Sequence, residues 1–169
     1  MGLVKYNEII KNEYINYISE WEKTGEKITP HSSARNGRSF EEMQYHWEYE
    51  GTDAIRGQGY VPATLFFLVD DTGRILGASH FRHELNEALI QYGGHIGYGI
   101  RPSERRKGYS TKMLGLMLDM LRDNGYKKIL ITCDDDNIAS ARTIEKNSGI
   151  LENKVPNHQG IGRRYWIKL

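Results

Sequence analysis

Apolar positions recur along the chain at two spacings, and these spacings predict its helices and strands. Between residues 6 and 23, apolar side chains lie three or four positions apart among charged residues, which predicts an amphipathic helix. Its apolar stripe consists of Ile10, Tyr14, Tyr17, Ile18 and Trp21. The stretch 24–38 has no such period and is predicted to be a loop. Ser39 followed by Glu42 forms a capping-box pattern, which predicts a second helix ending near Gly51.

The remaining elements follow from the same rules. A hairpin of strands 61–70 and 74–83 comes first, followed by a strand at 95–101 and a helix around 113–121. A buried strand at 128–133 then leads to a helix that is capped by Asp136 or Asn137 and reaches about Asn147. The chain ends with antiparallel strands at 150–156 and 161–169 around a turn at 157–160. The order ααβββαβαββ predicts one domain over residues 1–169 with an α/β (α+β) fold, in which helices cover the faces of a mixed sheet.

The strand at 95–101 has an uneven distribution of side chains. Ile96, Tyr98 and Ile100 share one face, whereas Gly97 and Gly99 leave the other face bare. Glycines within a strand usually mark a bulge or the close approach of another backbone or a ligand. We therefore expect something to pack closely against this strand.

Composition and charge exclude several classes of protein. The chain has 23 Lys and Arg residues against 22 Asp and Glu residues, a formal net charge of +1, so it lacks the cationic excess of a protein that coats nucleic acid. Its single cysteine, Cys133, excludes an internal disulfide and fits a reducing compartment. His80 and His83 would face opposite sides of a strand, so no metal site is predicted. We expect a cytoplasmic monomer or homodimer without membrane or nucleic-acid partners.

The segment before the third helix combines cations, a glycine and a helix start. It reads Arg105, Arg106, Lys107, Gly108, Tyr109 and Ser110. Unpaired N–H groups and the positive end of the helix dipole converge at a helix N-terminus, and glycine lets the backbone approach a ligand. The pattern favours a phosphate site, although it is not a P-loop. The alternative is an exposed basic turn that binds nucleic acid or an acidic partner.

Two motifs resemble those of the GNAT N-acetyltransferases. Arg105, Gly108 and Ser110 have the spacing of the family's acetyl-coenzyme A signature, with serine in place of the usual glycine or alanine. Downstream, Asn137 and Ser140 match the family's Asn-x-x-Ser/Ala helix, which here also ends on Glu-Lys. An Arg-His-x-Leu-Asn stretch further resembles a group of predicted bacterial acetyltransferases. The resemblance implies a mostly antiparallel sheet whose strands four and five splay apart, with helices on both faces.

The resemblance also implies acetyl-CoA as a cosubstrate. Its pyrophosphate would bind backbone amides of residues 106–110, and its pantetheine arm would pair with the fourth strand. The implied coenzyme-binding residues are Gly99, Ile100, Arg101, Arg105, Arg106, Lys107, Gly108, Tyr109, Ser110, Asn137 and Ser140. The implied activity is acetyl transfer to a primary amine of a small molecule or peptide, by direct attack in a ternary complex. A non-catalytic acyl-CoA-binding or sensing module is the alternative.

Acetyl transfer needs a neutral amine, donors for the developing oxyanion and a route for protons. His95 and Tyr98 lie on the strand where family members commonly place a base, and Glu84 lies in the adjoining loop, so these are the candidate catalytic residues. Alternation along the strand directs His95 away from the cleft, so it reaches the cleft only if a bulge reverses its direction. Without a bulge, it is a core histidine. The family position that often carries a tyrosine, which protonates the leaving thiolate, is occupied here by Ile144. Water or another hydroxyl must then protonate the thiolate, or the coenzyme leaves unprotonated.

Three irregular segments are predicted to form the acceptor pocket, namely residues 24–38, residues 84–93 and the C-terminal hairpin. Their charges conflict, because acidic side chains would attract an amine and basic ones a carboxylate. The acidic candidates are Glu84 and Glu87, and the basic ones are Arg35, Arg38 and Arg82. Arg163 and Arg164 are predicted to form a solvated edge of the last strand.

Overall fold

In a computed structural model that describes residues 1–157 and 160–169, the protein consists of two antiparallel sheets and four α-helices. The strands are β1 Gly2–Lys5, β2 Ala63–Val69, β3 Ile75–Arg82, β4 Ile96–Ile100, β5 Lys128–Asp134, β6 Ile150–Asn157 and β7 Gly160–Lys168. The helices are α1 Lys11–Thr24, α2 Phe40–Glu50, α3 Tyr109–Asp123 and α4 Ile138–Lys146. One sheet has the order β1-β2-β3-β4 and the other β5-β7-β6. The predicted turn at 157–160 includes His158 and Gln159, which lie outside the described residues.

The two sheets meet at the start of β4 and separate beyond it. The His95 N–H donates to the Leu130 carbonyl (2.7 Å), and the Leu130 N–H donates to Nδ1 of His95 (2.9 Å). In the described part of the chain, β4 then pairs with β3, and β5 pairs with β7. The predicted splay between strands four and five is therefore confirmed, and it leaves one edge of β4 facing a gap.

Helices cover both faces of the sheets, as predicted. On one face, α1 and α2 pack through an aromatic cluster in which the buried rings of Tyr14, Trp47 and Phe67 meet nearly edge to face, with centroids 5.2–6.4 Å apart. On the other face, α3 and α4 contribute side chains such as Met117 and Ile144 to a second core cluster. The clusters hold the split sheet between two pairs of helices.

The N-terminal region differs from its predicted form. A helix was expected over residues 6–23, but Gly2–Lys5 forms β1 on β2, a 3-10 turn follows, and α1 begins only at Lys11. A four-residue strand is too short to show a period, and pairing with β2 stabilises it. The next helix start is confirmed, because the Glu42 N–H donates to Ser39 Oγ (3.2 Å) and the Ser39 N–H donates to the Glu42 carboxylate (2.7 Å).

The bare face of β4 is covered by protein rather than by a ligand. A Cβ built on Gly99 would lie 2.0 Å from the Thr29 carbonyl oxygen, and one built on Gly97 would lie 3.9 Å from Pro30. Only Gly99 therefore needs to lack a side chain, since a contact of 3.9 Å at Gly97 is ordinary van der Waals packing. The predicted close approach is confirmed at Gly99, where the group that packs against the strand is the Thr29 backbone rather than a ligand.

One residue just after α4 carries avoidable backbone strain. Ser148 has a φ of +65°, in the left-handed region where helices commonly end on glycine. We expect Ser148→Gly to raise the free energy of unfolding by about 0.5–1 kcal/mol, because the relief of the Cβ clash exceeds the added chain entropy of glycine. Urea denaturation checks this, with Ser148→Ala, which keeps the Cβ, as the control. A lower midpoint for Ser148→Gly would contradict it.

Candidate active site

The turn between β4 and α3 directs a row of backbone amides outward. Arg106 (φ +62°) and Gly108 (φ +82°) are left-handed, so neighbouring N–H groups converge as in an anion-binding nest. Within residues 1–157 and 160–169, no protein group accepts a hydrogen bond from the N–H groups of residues 106–111. A Cβ built on Gly108 would have nothing within 4 Å. The amides are therefore accessible to an anionic ligand at the start of a 15-residue helix.

The three cations of this turn have different partners. Arg105 forms an ion pair with Glu26 (2.7 Å), and Lys107 forms one with Glu104 (2.9 Å). Arg106 is exposed and has no ion pair among the described residues. The amides and Arg106 are thus the groups best placed for an anion. The alternative of a basic docking turn loses support, because two of its three charges are already paired.

Arg101 is not available to a coenzyme, which corrects the expectation from the motif. Its side chain is 2% exposed and donates to Glu20 (2.6 Å) and Glu13 (2.9 Å) on α1. Its backbone N–H donates to the Leu76 carbonyl (2.9 Å). Glu20 also accepts from the Ser103 N–H (2.7 Å), so this buried network holds the turn against α1.

A cavity of about 410 Å³ lies in the gap between β4 and β5. The side chains of Tyr98 on β4, Cys133 on β5 and Ser140 on α4 line its inner walls. All three segments predicted to form the acceptor pocket also reach it, through Lys27, Thr29, Gln91, Tyr92, Val155 and Asn157. Burial raises the pKa of the Cys133 thiol to about 11, so the thiol stays protonated and unreactive at neutral pH.

Tyr98 reaches across the cavity wall from β4 to α4. Its Oη lies 2.9 Å from Oγ of Ser140, whose own N–H donates to the Asn137 side chain (3.0 Å) at the start of the helix. Burial raises the pKa of Tyr98 to about 12, and the hydrogen bond with Ser140 lowers this pKa by a smaller amount. The phenol therefore holds its proton at neutral pH and does not act as a base there.

His95 and Glu84 are not placed to act as bases in the cavity. Nδ1 of His95 accepts the Leu130 N–H, and burial lowers the pKa of this imidazole, so His95 is a core histidine that joins the two sheets. Glu84 forms an ion pair with Arg56, whose hydrogen bonds lower the pKa of the carboxyl group. Neither side chain lines the cavity between β4 and β5.

All five charged residues predicted for the acceptor pocket lie outside this cavity. They are Arg35, Arg38, Arg82, Glu84 and Glu87. Arg163 and Arg164, predicted to be a solvated edge, line it instead, because β7 is the central strand of its sheet. Arg163 pairs with Asp135 (2.6 Å) and Arg164 with Glu152 (3.2 Å). No pattern in the sequence indicates this position, since the sequence does not show the order of strands in a sheet.

The amides and the gap suit one elongated ligand with a diphosphate at one end. The turn supplies donors for phosphate oxygens, and the free edge of β4 leads from that turn into the cavity. Among the described residues, no three His, Cys, Asp or Glu side chains are grouped to hold a metal ion. None of the helices in that part of the chain is long and apolar enough to cross a bilayer. The site therefore has the features of a nucleotide-coenzyme site in a split sheet.

Comparison with known proteins identifies the family. The family model of the acetyltransferase (GNAT) domain matches residues 11–148, so the chain belongs to the GNAT acetyltransferases, which use acetyl-CoA. YjdG, an uncharacterized N-acetyltransferase of Bacillus subtilis (strain 168), is 29% identical over 99 residues. That match covers 57% of this chain and 54% of YjdG, so the chain spans about half the length of this curated relative.

Solved structures share the fold over nearly the whole chain. The ribosomal-protein-S5-alanine acetyltransferase of Vibrio fischeri has a TM-score of 0.66 at 15% identity, covering 98% of this chain and 90% of that one. A mutant of spermidine N-acetyltransferase SpeG from Vibrio cholerae has a TM-score of 0.68 at 14% identity, with 99% and 95% covered. RimL, a ribosomal L7/L12 alpha-N-protein acetyltransferase in complex with coenzyme A, has a TM-score of 0.68 at 16% identity, with 99% and 93% covered.

Proposed function

We propose that this protein transfers an acetyl group from acetyl-CoA to a primary amine of a small molecule or peptide, by direct attack in a ternary complex. One observation carries the proposal: the unpaired amides of residues 106–111 lie at the end of β4, whose free edge borders the cavity. Family membership supports the acetyl donor. The names of the structural neighbours, which specify N-acetylation of spermidine or of ribosomal proteins, support an amine as acceptor.

Each part of the coenzyme has a proposed partner in the chain. Amides of residues 106–110 bind the diphosphate, with Arg106 adding charge. The backbone of Ile100 pairs with the pantetheine arm along the free edge of β4. The same ladder that places the Arg101 N–H on Leu76 directs the backbone groups of Gly99 to β3. Asn137 and Ser140 contact the coenzyme from α4, on the opposite wall. The amine binds beside Lys27 and Tyr92, which line the cavity on two of the three irregular segments.

A thiol-release assay with a panel of amines tests this function. The panel contains a polyamine, free amino acids and peptides with free N-termini, and calorimetry measures coenzyme A binding in parallel. We expect release of coenzyme A that depends on one class of amine, together with acetylated product seen by mass spectrometry. Coenzyme A binding without acetylated product for every amine would favour the non-catalytic acyl-CoA module. The absence of a tyrosine at position 144 is the feature of the sequence that supports this alternative. No binding at all would contradict both.

A further inference from the structure

We propose that the acceptor of this protein is an amine that carries a carboxylate, and that Lys27 and Arg164 bind this carboxylate. The inference rests on the proposed function and names the substrate class of its site. Among the described residues, the charged side chains that line the cavity are three cations, Lys27, Arg163 and Arg164, and the one carboxylate of Asp134. Asp135 forms an ion pair with Arg163 (2.6 Å). Lys27 and Arg164 are therefore the cations that remain for a ligand.

The strand order places Arg163 and Arg164 in different parts of the cavity. They are consecutive on β7, so their side chains leave opposite faces of the sheet. Arg163 lies opposite Cys133, whose thiol faces α4, the wall proposed for the coenzyme. Arg164 lies opposite Thr132, whose hydroxyl donates to the Tyr92 carbonyl (2.9 Å). Because opposite residues share a face, Arg164 lies on the side where the amine is proposed to bind.

The charges of Lys27 and Arg164 are incompletely matched by the protein. Arg164 is 14% exposed and pairs with Glu152 (3.2 Å), which is 42% exposed and does not line the cavity. Nε of Arg164 is buried and has no hydrogen-bond partner among the described residues. Lys27 is exposed and forms no ion pair within residues 1–157 and 160–169. Asp134, in contrast, accepts a hydrogen bond from the Asn157 side chain (3.0 Å). This side of the cavity is therefore positively charged.

A positively charged wall selects among amines in two ways. It attracts a carboxylate, to which guanidinium and ammonium groups donate strong charge-assisted hydrogen bonds. It also disfavours the protonated form of an amine beside it, and so favours the neutral nitrogen that attack on a thioester requires. A polyamine gains no such contact, because its remaining ammonium groups meet charges of the same sign. The wall therefore favours an amino acid or an acidic peptide over a polyamine.

The first test compares acceptors that differ in one charge. Alanine and alaninamide present the same amine, and only alanine carries a carboxylate. Alanyl-glutamate α-amide and alanyl-glutamine α-amide differ in the same way, so the two pairs distinguish a free amino acid from an acidic peptide. We expect kcat/KM, measured by thiol release with acetyl-CoA, to be at least about tenfold higher for the carboxylate member of one pair or of both. Spermidine should be a poorer acceptor than that member.

The second test removes the two cations. The measured quantity is the ratio of kcat/KM between the two members of the preferred pair. Lys27→Glu should lower this ratio at least about fivefold, and Arg164→Gln at least about tenfold, because each removes a positive charge from the carboxylate site. Lys23→Glu and Arg38→Gln are the matched controls, since both residues are exposed and neither lines this cavity. Lys27 is exposed, so its variant keeps the test valid if Arg164→Gln does not fold.

The outcomes separate this inference from the proposed function. A wild-type protein that neither binds coenzyme A nor releases thiol with any amine overturns both. Turnover in which neither carboxylate member is preferred by about tenfold, or in which spermidine is the best acceptor, overturns the substrate class alone. A wild-type preference that every folded variant retains overturns the assignment to Lys27 and Arg164. Loss of the preference in either variant, with both controls unchanged, supports it.

Discussion

Gly108→Glu should raise the Kd for coenzyme A at least about 100-fold, which corresponds to a loss of about 2.7 kcal/mol or more of binding free energy. The new carboxylate would project in front of the amides of residues 106–111, where the proposed diphosphate binds, and would repel it at close range. The left-handed φ of +82° adds strain for a residue with a Cβ, and this strain displaces the amides of the turn. Isothermal titration calorimetry with coenzyme A measures the effect.

A second glycine provides the control for this substitution. Gly73 lies in the β2–β3 turn with a φ of +84° and, like Gly108, has nothing within 4 Å of an added Cβ. Gly73→Glu therefore imposes the same backbone strain and the same charge away from the site. We expect it to retain the wild-type Kd. Equal affinities for Gly108→Glu and the wild type would mean that the amides of this turn do not bind the coenzyme.

The features that the sequence predicted best are those with local causes. The start of α2 depends on Ser39 and Glu42, three residues apart, and the turn with unpaired amides depends on a glycine beside a helix start. The predicted splay of the sheet came from the family resemblance, since no local pattern shows where two strands separate. The structure adds the reason: in residues 1–157 and 160–169, the backbone of β5 is joined to this edge of β4 by the two hydrogen bonds between His95 and Leu130.

The features that the sequence could not predict depend on distant partners. Arg101 looks like one more cation of a basic turn, yet its carboxylate partners are 81 and 88 residues away along the chain. The direction of the His95 ring is also set by a backbone group 35 residues away. Spacing within one segment carries no information about such contacts. For the same reason, Arg163 could not be placed in the cavity before the strand order was known.

Arg101→Leu should lower the free energy of unfolding by about 3–5 kcal/mol, because it leaves the carboxylates of Glu13 and Glu20 without their shared cation. Urea denaturation measures the loss. The control is Arg122→Leu, which removes an exposed pair with Asp119 (2.6 Å) and should cost no more than about 1 kcal/mol. A loss for Arg101→Leu as small as that of the control would contradict the stabilising role of the network.

The same network makes stability depend on pH. Burial raises the pKa of Glu20, but hydrogen bonds from Arg101 and Ser103 outweigh it and hold this pKa below its ordinary value. A carboxyl group with a lowered pKa stabilises the folded state above its unfolded pKa, and this contribution is lost as the pH falls through the folded pKa. Urea denaturation at neutral and acidic pH should therefore show a steeper loss in the wild type than in Arg101→Leu. Parallel losses in the two proteins would mean that Arg101 does not set the ionisation of Glu20, and the turn before α3 would then need another explanation for its attachment to α1.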